Sequence, residues 1–190
     1  MIEIGGYTRA FLGERYNGDN IYIYQGDKLV VCSVIDGIGH GKIAHKISQK
    51  IGKYLESVIS PDPTEMIART HEFMKGSEGA ALGIGIISNN TLTFASMGNI
   101  SCFVRGKNSK RFVSSEGLLG VRGRTVKKES MELTAGDLVV MHSDGLSLQS
   151  FLNGPPVYHL FSANGLARKM IKEYGSSYDD ASVIVIHVKE

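Results

Sequence analysis

The chain has 190 residues, of which 42% are hydrophobic and 21% charged, and its formal net charge at pH 7 is +2. These values are ordinary for a globular protein, and we expect one domain that spans residues 1–190. Lysine and arginine are scattered, no apolar run approaches the roughly 18 residues that cross a bilayer, and the N-terminus lacks a signal-peptide pattern. We therefore expect a cytoplasmic protein that binds neither nucleic acid nor membranes.

Hydrophobic periodicity predicts two consecutive helices in the first half of the chain and a third near its end, with strands on either side. Apolar residues recur at every fourth position from residue 43 to residue 59, which predicts a helix over 42–59 that Pro61 ends. Asp62 is a suitable cap for the second helix, and the third is predicted over 163–174. The predicted strands are 21–25, 29–35, 80–87, 92–97, 101–105, 111–113, 129–133, 138–142 and 182–188.

This order of elements predicts the α+β class, because strands occur in runs rather than alternating singly with helices. The two consecutive helices are expected to pack as a pair on the face of a sheet. Two antiparallel sheets with helices outside them would leave the strand ends to form a cleft. The residues at the strand ends are therefore the first place to look for a functional site.

Four aspartates lie where a predicted strand begins or ends, namely Asp19, Asp36, Asp144 and Asp179. If the first two strands form an antiparallel hairpin, Asp19 and Asp36 share one edge of the sheet. Antiparallel pairing of the two last strands would bring Asp144 to Asp179 in the same way. Four carboxylates at one edge repel each other unless a cation holds them, and oxygen ligands alone suit Mg²⁺ or Mn²⁺. The pattern predicts an enzyme that depends on a divalent metal.

Three glycines lie within six residues at 36–41, in the order Asp-Gly-Ile-Gly-His-Gly. Glycines let the backbone approach a ligand closely, and this segment stands directly before a predicted helix. A plain turn in which His40 caps the helix is one alternative. A phosphate-binding loop is a second one, although the sequence lacks both the Gly-Lys-Ser/Thr and the G-x-G-x-x-G patterns of nucleotide loops.

Six short motifs occur in an order that covers nearly the whole chain. They are Arg15 followed by Asp19, Asp-Gly-Ile-Gly-His-Gly at 36–41, Met-Gly-Asn at 97–99, Leu-Thr-Ala-Gly-Asp at 133–137, Ser-Asp-Gly-Leu at 143–146 and Asp-Asp-Ala-Ser at 179–182. This order resembles the PPM metal-dependent serine/threonine protein phosphatases, also called protein phosphatase type 2C. The forms at 36–41 and 179–182, together with the short length, resemble the bacterial SpoIIE/RsbU/RsbX branch and its stand-alone stressosome phosphatases.

The resemblance implies an αββα sandwich of two antiparallel sheets with helix pairs outside, and two Mn²⁺ or Mg²⁺ ions in a cleft at the sheet ends. Asp36 would bridge the two ions. Asp144 and Asp179 would complete one metal site, and Asp19 with the backbone carbonyl of Gly37 would hold the other. A water molecule activated between the ions would attack the phosphorus atom in line.

The resemblance also implies a phosphate-binding arginine, for which Arg15 has the right spacing and Arg9 is a nearby alternative. The eukaryotic members carry a histidine directly after Asp-Gly, where this chain has Ile38, and His40 stands two residues later. Two interpretations of His40 are open: it donates a proton to the departing serine oxygen, or it caps and positions the helix. Asp180 is interpreted as a turn residue beside a metal ligand.

The expected function is dephosphorylation of phosphoserine or phosphothreonine in proteins. The resemblance implies phosphorylated STAS-domain regulators of a stressosome or sigma-factor pathway as substrates. A non-catalytic binding module of the same fold is one alternative, although all four aspartates are retained. A hydrolase of small phosphoesters is another, although the sequence shows no long insertion that would cover the cleft.

Overall fold

The protein, represented by a computed structural model that describes residues 1–123 and 125–189 (at 157 the backbone only), contains two five-stranded antiparallel sheets packed face to face. The first sheet has the order β1 (Ile2–Arg9), β12 (Ala181–Val188), β11 (Leu138–His142), β6 (Ser101–Arg105) and β7 (Lys110–Arg111). The second sheet has the order β10 (Lys128–Glu132), β5 (Thr91–Met97), β4 (Ala80–Ser88), β3 (Val30–Gly37) and β2 (Asp19–Gln25). A small separate hairpin consists of β8 (Gly117–Leu118) and β9 (Arg122–Gly123).

Helices cover the outer faces of both sheets. The second sheet is covered by α1 (Gly41–Leu55) and α2 (Pro63–Phe73). The first sheet is covered by α4 (Ala163–Tyr174). Two short elements come before α4 in the chain: the five-residue α3 (Gln149–Asn153) and a 3-10 helix (Val157–Leu160). This arrangement confirms the predicted α+β class and the αββα sandwich. None of the helices in the described part of the chain is long and apolar enough to span a membrane.

β3 is buried on both of its faces, although only β2 separates it from the edge of the second sheet. Val31 and Ile35 contact the apolar layer beneath α1 and α2, whereas Cys32 and Val34 contact the layer between the sheets. This alternation follows from the two-residue period of a strand, and burial of both faces explains why residues 30–35 are apolar at every position except Ser33. A third apolar layer joins α4 to the first sheet. The two apolar layers that contact β3 fix the position of Asp36, near the end of this strand.

Besides the two-residue strands β8 and β9, the described part of the chain contains one strand, β1, that the sequence pattern does not predict. Gly5 and Gly6 interrupt the apolar alternation of this strand and hide it from an analysis of periodicity. Packing requires the first of them, because a Cβ atom on Gly5 would lie 2.2 Å from the backbone nitrogen of Asn164 in α4. The contact between β1 and α4 therefore requires the glycine that makes β1 difficult to recognise in the sequence.

The predicted first helix is wrong at its C-terminal end and in one of its core positions. α1 ends at Leu55, so Ile59 lies outside it. Ile43 is 63% exposed, although the four-residue repeat predicts that it is buried. A helix has about 3.6 residues per turn, so a strict four-residue step drifts around the axis by about 40° each time. Ile43 consequently lies off the face on which the later members of the series are buried.

The first and last described residues meet at the edge of the sandwich that lies opposite the start of β2. β1 and β12 pair antiparallel, with Ile2 opposite Val188, and the amino group of Met1 donates a hydrogen bond to the carbonyl of Lys189 (3.1 Å). The turn at 26–29 and the turn at Asn89 lie at the same edge. These segments line a cavity of about 620 Å³.

Candidate metal centre

The four predicted aspartates come together at one edge of the sandwich. Asp19 is the first residue of β2 and Asp36 the last but one of β3, and the antiparallel register places them directly opposite each other. β11 and β12 also pair antiparallel, with Asp144 two residues after the end of β11 and Asp179 two residues before the start of β12. The predicted hairpin and the predicted pairing of the last two strands are both confirmed.

The carboxylates at this edge repel each other and are partly removed from water. Burial, reinforced by the charges of Asp19 and Asp144, raises the pKa of Asp36 to about 8. Burial also raises the pKa of Asp19 to about 7. The side chain of Asp179 is exposed, but neighbouring groups remove part of it from water, and this partial burial together with the charge of Asp144 raises its pKa. These raised pKa values show that negative charge on the carboxylates is unfavourable at this edge. A bound cation would relieve their repulsion.

The donor atoms fit a hard divalent cation, because they are carboxylate oxygens. Within residues 1–123 and 125–189, no three acidic, histidine or cysteine side chains already converge on one point as ligands of a single ion. Asp144 and Asp179 are exposed, so their side chains have room to rotate. One carboxylate oxygen of Asp144 accepts a hydrogen bond from Nδ2 of Asn99 (2.6 Å). Metal binding at this edge would therefore require rotation of exposed side chains rather than movement of strands.

Two serine hydroxyls hold the buried carboxylate of Asp19, which is 3% exposed. Oγ of Ser143 and Oγ of Ser182 both donate to Oδ2 of Asp19, at 2.5 Å and 2.7 Å. Ser143 Oγ in turn accepts a hydrogen bond from the backbone nitrogen of Ser182 (3.0 Å). These bonds favour the charged form of Asp19 and oppose the effect of burial on its pKa. They also join the two sheets at the aspartate edge, a role that the sequence did not reveal.

Asp180 is a buried structural residue, and its interpretation as a turn residue is wrong. It is 4% exposed, and its carboxylate accepts hydrogen bonds from the backbone nitrogens of Phe11 (3.0 Å) and Gly18 (2.8 Å). Asp180 thereby holds both ends of the loop that leads into Asp19. Gly18 is needed at this contact, because a Cβ atom there would lie 2.7 Å from Oδ2 of Asp180.

We expect Asp180→Asn to lower the stability of the protein by about 1–3 kcal/mol, because the amide nitrogen would face a backbone N–H where a carboxylate oxygen accepts. Thermal unfolding measures this as a loss of several degrees in melting temperature. Asp27→Asn is the matched control, since Asp27 is exposed in the turn between β2 and β3. Equal melting temperatures for the two variants would contradict the structural role of Asp180.

The glycine-rich segment after β3 turns the chain into α1. A Cβ atom on Gly37 would lie 2.5 Å from the carbonyl oxygen of Ala44, so only glycine allows the helix to pack this closely on the end of β3. Gly39 and Gly41 have φ angles of +82° and +71°, which side chains disfavour. The pattern of the motif thus follows from packing and backbone conformation, and it brings the start of α1 against the aspartate edge.

His40 occupies the N-cap position of α1, but its side chain makes no capping hydrogen bond, so the interpretation of its side chain as a cap is wrong. Nδ1 of His40 instead lies 3.1 Å from Oε1 of Glu14. The edge of the ring meets the ring of Phe11, with 5.4 Å between the centroids. The His40 side chain is 68% exposed. Glu14 therefore fixes Nδ1 and leaves Nε2 as the ring nitrogen that can face a substrate.

The two candidate phosphate-binding arginines have different surroundings. Arg9 is partly buried, and its guanidinium donates a hydrogen bond to the carbonyl of Ser176. Arg15 is exposed, and its guanidinium carbon lies 5.8 Å from the centre of the Tyr16 ring. Of the two side chains, that of Arg15 is the more exposed.

The sandwich and its edge of paired aspartates define the PPM class of metal-dependent protein phosphatases. The chain belongs to the SpoIIE family: the family model described as Stage II sporulation protein E matches residues 26–189. Phosphoserine phosphatase RsbX of Bacillus subtilis (strain 168) is 27% identical over 140 residues, which are 72% of this chain and 70% of RsbX.

Two solved structures extend the similarity to nearly the whole chain. A crystal structure of RsbX in complex with magnesium is 25% identical with a TM-score of 0.85, over 99% of this chain and 96% of RsbX. A chain from work on the bacterial stressosome is 26% identical with a TM-score of 0.89, over 98% of this chain and 100% of the other.

Proposed function

We propose that the protein is a Mn²⁺- or Mg²⁺-dependent phosphatase of phosphoserine and phosphothreonine in proteins. The observation that carries this proposal is the register that places Asp19 opposite Asp36, with the ends of β11 and β12 beside them. The similarity to RsbX, which is named a phosphoserine phosphatase and has been crystallised with magnesium, supports it. The raised pKa values of Asp19 and Asp36 support it too, because a cation would relieve the repulsion.

Each aspartate has a proposed role in this site. Asp36 would bridge two ions, Asp144 and Asp179 would complete one metal site, and Asp19 with the carbonyl of Gly37 would hold the other. When bound, the ions would lower the pKa of a water molecule and neutralise charge on the phosphate. The chain itself orients these ligands, through the serine hydroxyls on Asp19 and the close packing of α1 on Gly37.

Two further residues act on the substrate in this proposal. The guanidinium of Arg15 would bind the phosphate oxygens, for which its planar array of donors is suited. Nε2 of His40 would give a proton to the departing serine oxygen while Glu14 holds the opposite ring nitrogen. An alkoxide is a poor leaving group, so this proton would be needed for a protein substrate.

A protein substrate is favoured over a small phosphoester, because Asp144 and Asp179 are exposed at the edge of the sandwich and a bulky substrate could reach them. The depression beside Asp144 is about 310 Å³, whereas the cavity of about 620 Å³ lies at the opposite edge and contains none of the four aspartates. We propose phosphorylated STAS-domain proteins of the stressosome type as substrates and the cytoplasm as the location. The similarity to RsbX and to the stressosome-related chain supports this choice. A non-catalytic module is disfavoured, because all four aspartates are present.

The function is tested by release of phosphate from a phosphoserine-containing STAS-domain protein in the presence of Mn²⁺. We expect chelation by EDTA to reduce the rate by roughly 10³-fold or more and added Mn²⁺ to restore it. Undiminished turnover after thorough chelation would exclude the metal mechanism. If the protein hydrolyses p-nitrophenyl phosphate but releases phosphate from no phosphoprotein, the result would instead favour a hydrolase of small phosphoesters.

A further inference from the structure

The outward face of α1 carries a row of lysines that begins at the aspartate edge. Their spacing of four, four and three residues places them within one arc of the helix surface, and all are exposed. With a rise of about 1.5 Å per residue, the row extends for about 16 Å. This lysine stripe consists of Lys42, Lys46, Lys50 and Lys53.

The stripe is electrostatically unfavourable for the helix that carries it. Lys42 and Lys46, and Lys46 and Lys50, are like charges four residues apart, an arrangement that destabilises a helix. The first turn of α1 has no acidic residue, although the positive end of the helix dipole favours one. In the part of the chain that the structure describes, none of the four lysines forms an ion pair. Lys50 Nζ lies 4.8 Å from the centre of the Phe73 ring, and Lys53 stands in the last turn, where the helix dipole favours a cation. Neither contact accounts for Lys42 and Lys46, so the stability of α1 does not explain the stripe as a whole.

The other long helices of the same chain follow the opposite pattern. In α2, Arg69 pairs with Glu65 four residues earlier, at 2.6 Å. In α4, Lys169 pairs with Glu173 four residues later. α1 contains no aspartate or glutamate at all. The absence of compensating acids is thus a property of α1 and not of the helices of this protein in general.

The position of the stripe connects it to the site already described. α1 begins at Gly41, so Lys42 directly follows the glycine-rich segment 36–41 that contains Asp36. Two apolar side chains at this end are also exposed: Ile43 at 63% and Ile38 at 46%. A protein chain bound with its phosphoserine at the aspartates would therefore meet apolar side chains first and then a row of positive charges.

We propose that the lysine stripe binds an acidic segment of the phosphoprotein substrate next to the phosphoserine. The inference rests on the proposed phosphatase function and specifies its substrate. An acidic segment is the expected partner because of charge complementarity: four cations without acidic partners attract a run of carboxylates. An extended chain advances about 3.3 Å per residue, so the 16 Å of the stripe corresponds to about five residues. The expected substrate thus has an acidic tract of about this length beside its phosphoserine.

Synthetic phosphoserine peptides test this proposal. Two peptides carry a tract of five glutamates, one on the N-terminal side of the phosphoserine and the other on its C-terminal side. Two further peptides carry five glutamines at the same positions. The variant is Lys46→Glu, which puts a carboxylate four residues from both Lys42 and Lys50 and so should keep or raise the melting temperature. Lys172→Glu is the matched control, because Lys172 is exposed on α4 at the opposite outer face of the sandwich. p-Nitrophenyl phosphate serves as the substrate without a peptide.

With wild-type protein we expect kcat/KM to be roughly tenfold higher for one of the glutamate peptides than for its glutamine counterpart, with the preference weakened by about 0.5 M NaCl. Lys46→Glu should abolish this preference and leave p-nitrophenyl phosphate hydrolysis within about twofold of wild type. Lys172→Glu should retain the preference.

Equal rates on the glutamate and glutamine peptides, or a preference that survives Lys46→Glu, would overturn the docking proposal while the phosphatase function stands. Binding of anionic vesicles that needs Lys46, without any peptide preference, would overturn it too. No hydrolysis of any phosphoserine peptide or phosphoprotein would overturn the proposed function and the docking proposal together.

Discussion

Asp36→Asn is expected to reduce phosphatase activity by roughly 10³-fold or more while the protein stays folded. The substitution removes the charge that would bridge two ions and keeps the size of the side chain. The measurement is phosphate release at saturating Mn²⁺, beside a circular dichroism spectrum of each variant. Asp27→Asn makes the same chemical change at the opposite edge of the sandwich and should retain wild-type activity. Near wild-type turnover by Asp36→Asn would refute the bridging role.

The same variant should be more stable than the wild type when metal is removed at alkaline pH. Burial and the charge of Asp19 raise the pKa of Asp36 to about 8, so the folded state holds a proton that the unfolded state releases. The metal-free wild type should therefore lose stability as pH rises from about 4 to about 8. In Asp36→Asn this loss should be smaller, with a melting temperature at about pH 8 several degrees above that of the wild type. A wild-type melting temperature that does not change with pH would contradict the repulsion argument.

His40→Ala is expected to have the second large effect, and one that depends on the leaving group. Hydrolysis of a phosphoprotein should slow by roughly 10²–10⁴-fold, because the serine oxygen needs a proton as it departs. Hydrolysis of p-nitrophenyl phosphate should change far less, since nitrophenolate leaves without one. The position of Nδ1 at 3.1 Å from Glu14 favours this role, because the ring is oriented but does not cap the helix.

Two further variants sharpen the test of His40. Glu14→Gln should produce a smaller loss with the same selectivity, because the ring keeps its nitrogen and loses only the charged partner that orients it. His159→Ala, at an exposed position outside the aspartate edge, should leave both rates unchanged. A similar small loss on both substrates in His40→Ala would show that the residue acts through the helix and not as an acid.

The aspartate edge could be predicted from the sequence because local rules determine it. Asp19 and Asp36 flank two short apolar runs separated by a turn, and antiparallel pairing of such runs brings their outer ends together. Asp144 and Asp179 needed one further assumption, that their strands are neighbours, and the resemblance to a known fold supported it. Strand ends, chemistry and the resemblance were thus together sufficient to predict that these four aspartates share one edge.

The contacts that orient these aspartates could not be predicted, because they join residues that are distant in the sequence. Ser143 donates to Asp19 across 124 positions, and Asp180 accepts from Gly18 across 162. The periodicity of apolar residues does not predict contacts between residues so far apart. No local pattern in the sequence distinguishes the adjacent Asp179 and Asp180 either. Only the structure shows that Asp179 is exposed and Asp180 buried, because both residues precede β12 and the alternation of side chains along a strand does not apply to them.

The antiparallel pairing of β1 with β12, which brings Met1 to Lys189, has a consequence for engineering the molecule. A fluorescent tag or a fused domain attached at either position would sit a strand length, roughly 20–25 Å, from the aspartates, and would not obstruct a bound protein. Since the two positions touch, a short linker could join them and new ends could be opened in the turn at 26–29. Such a circular permutant would leave every hydrogen bond at the aspartate edge intact.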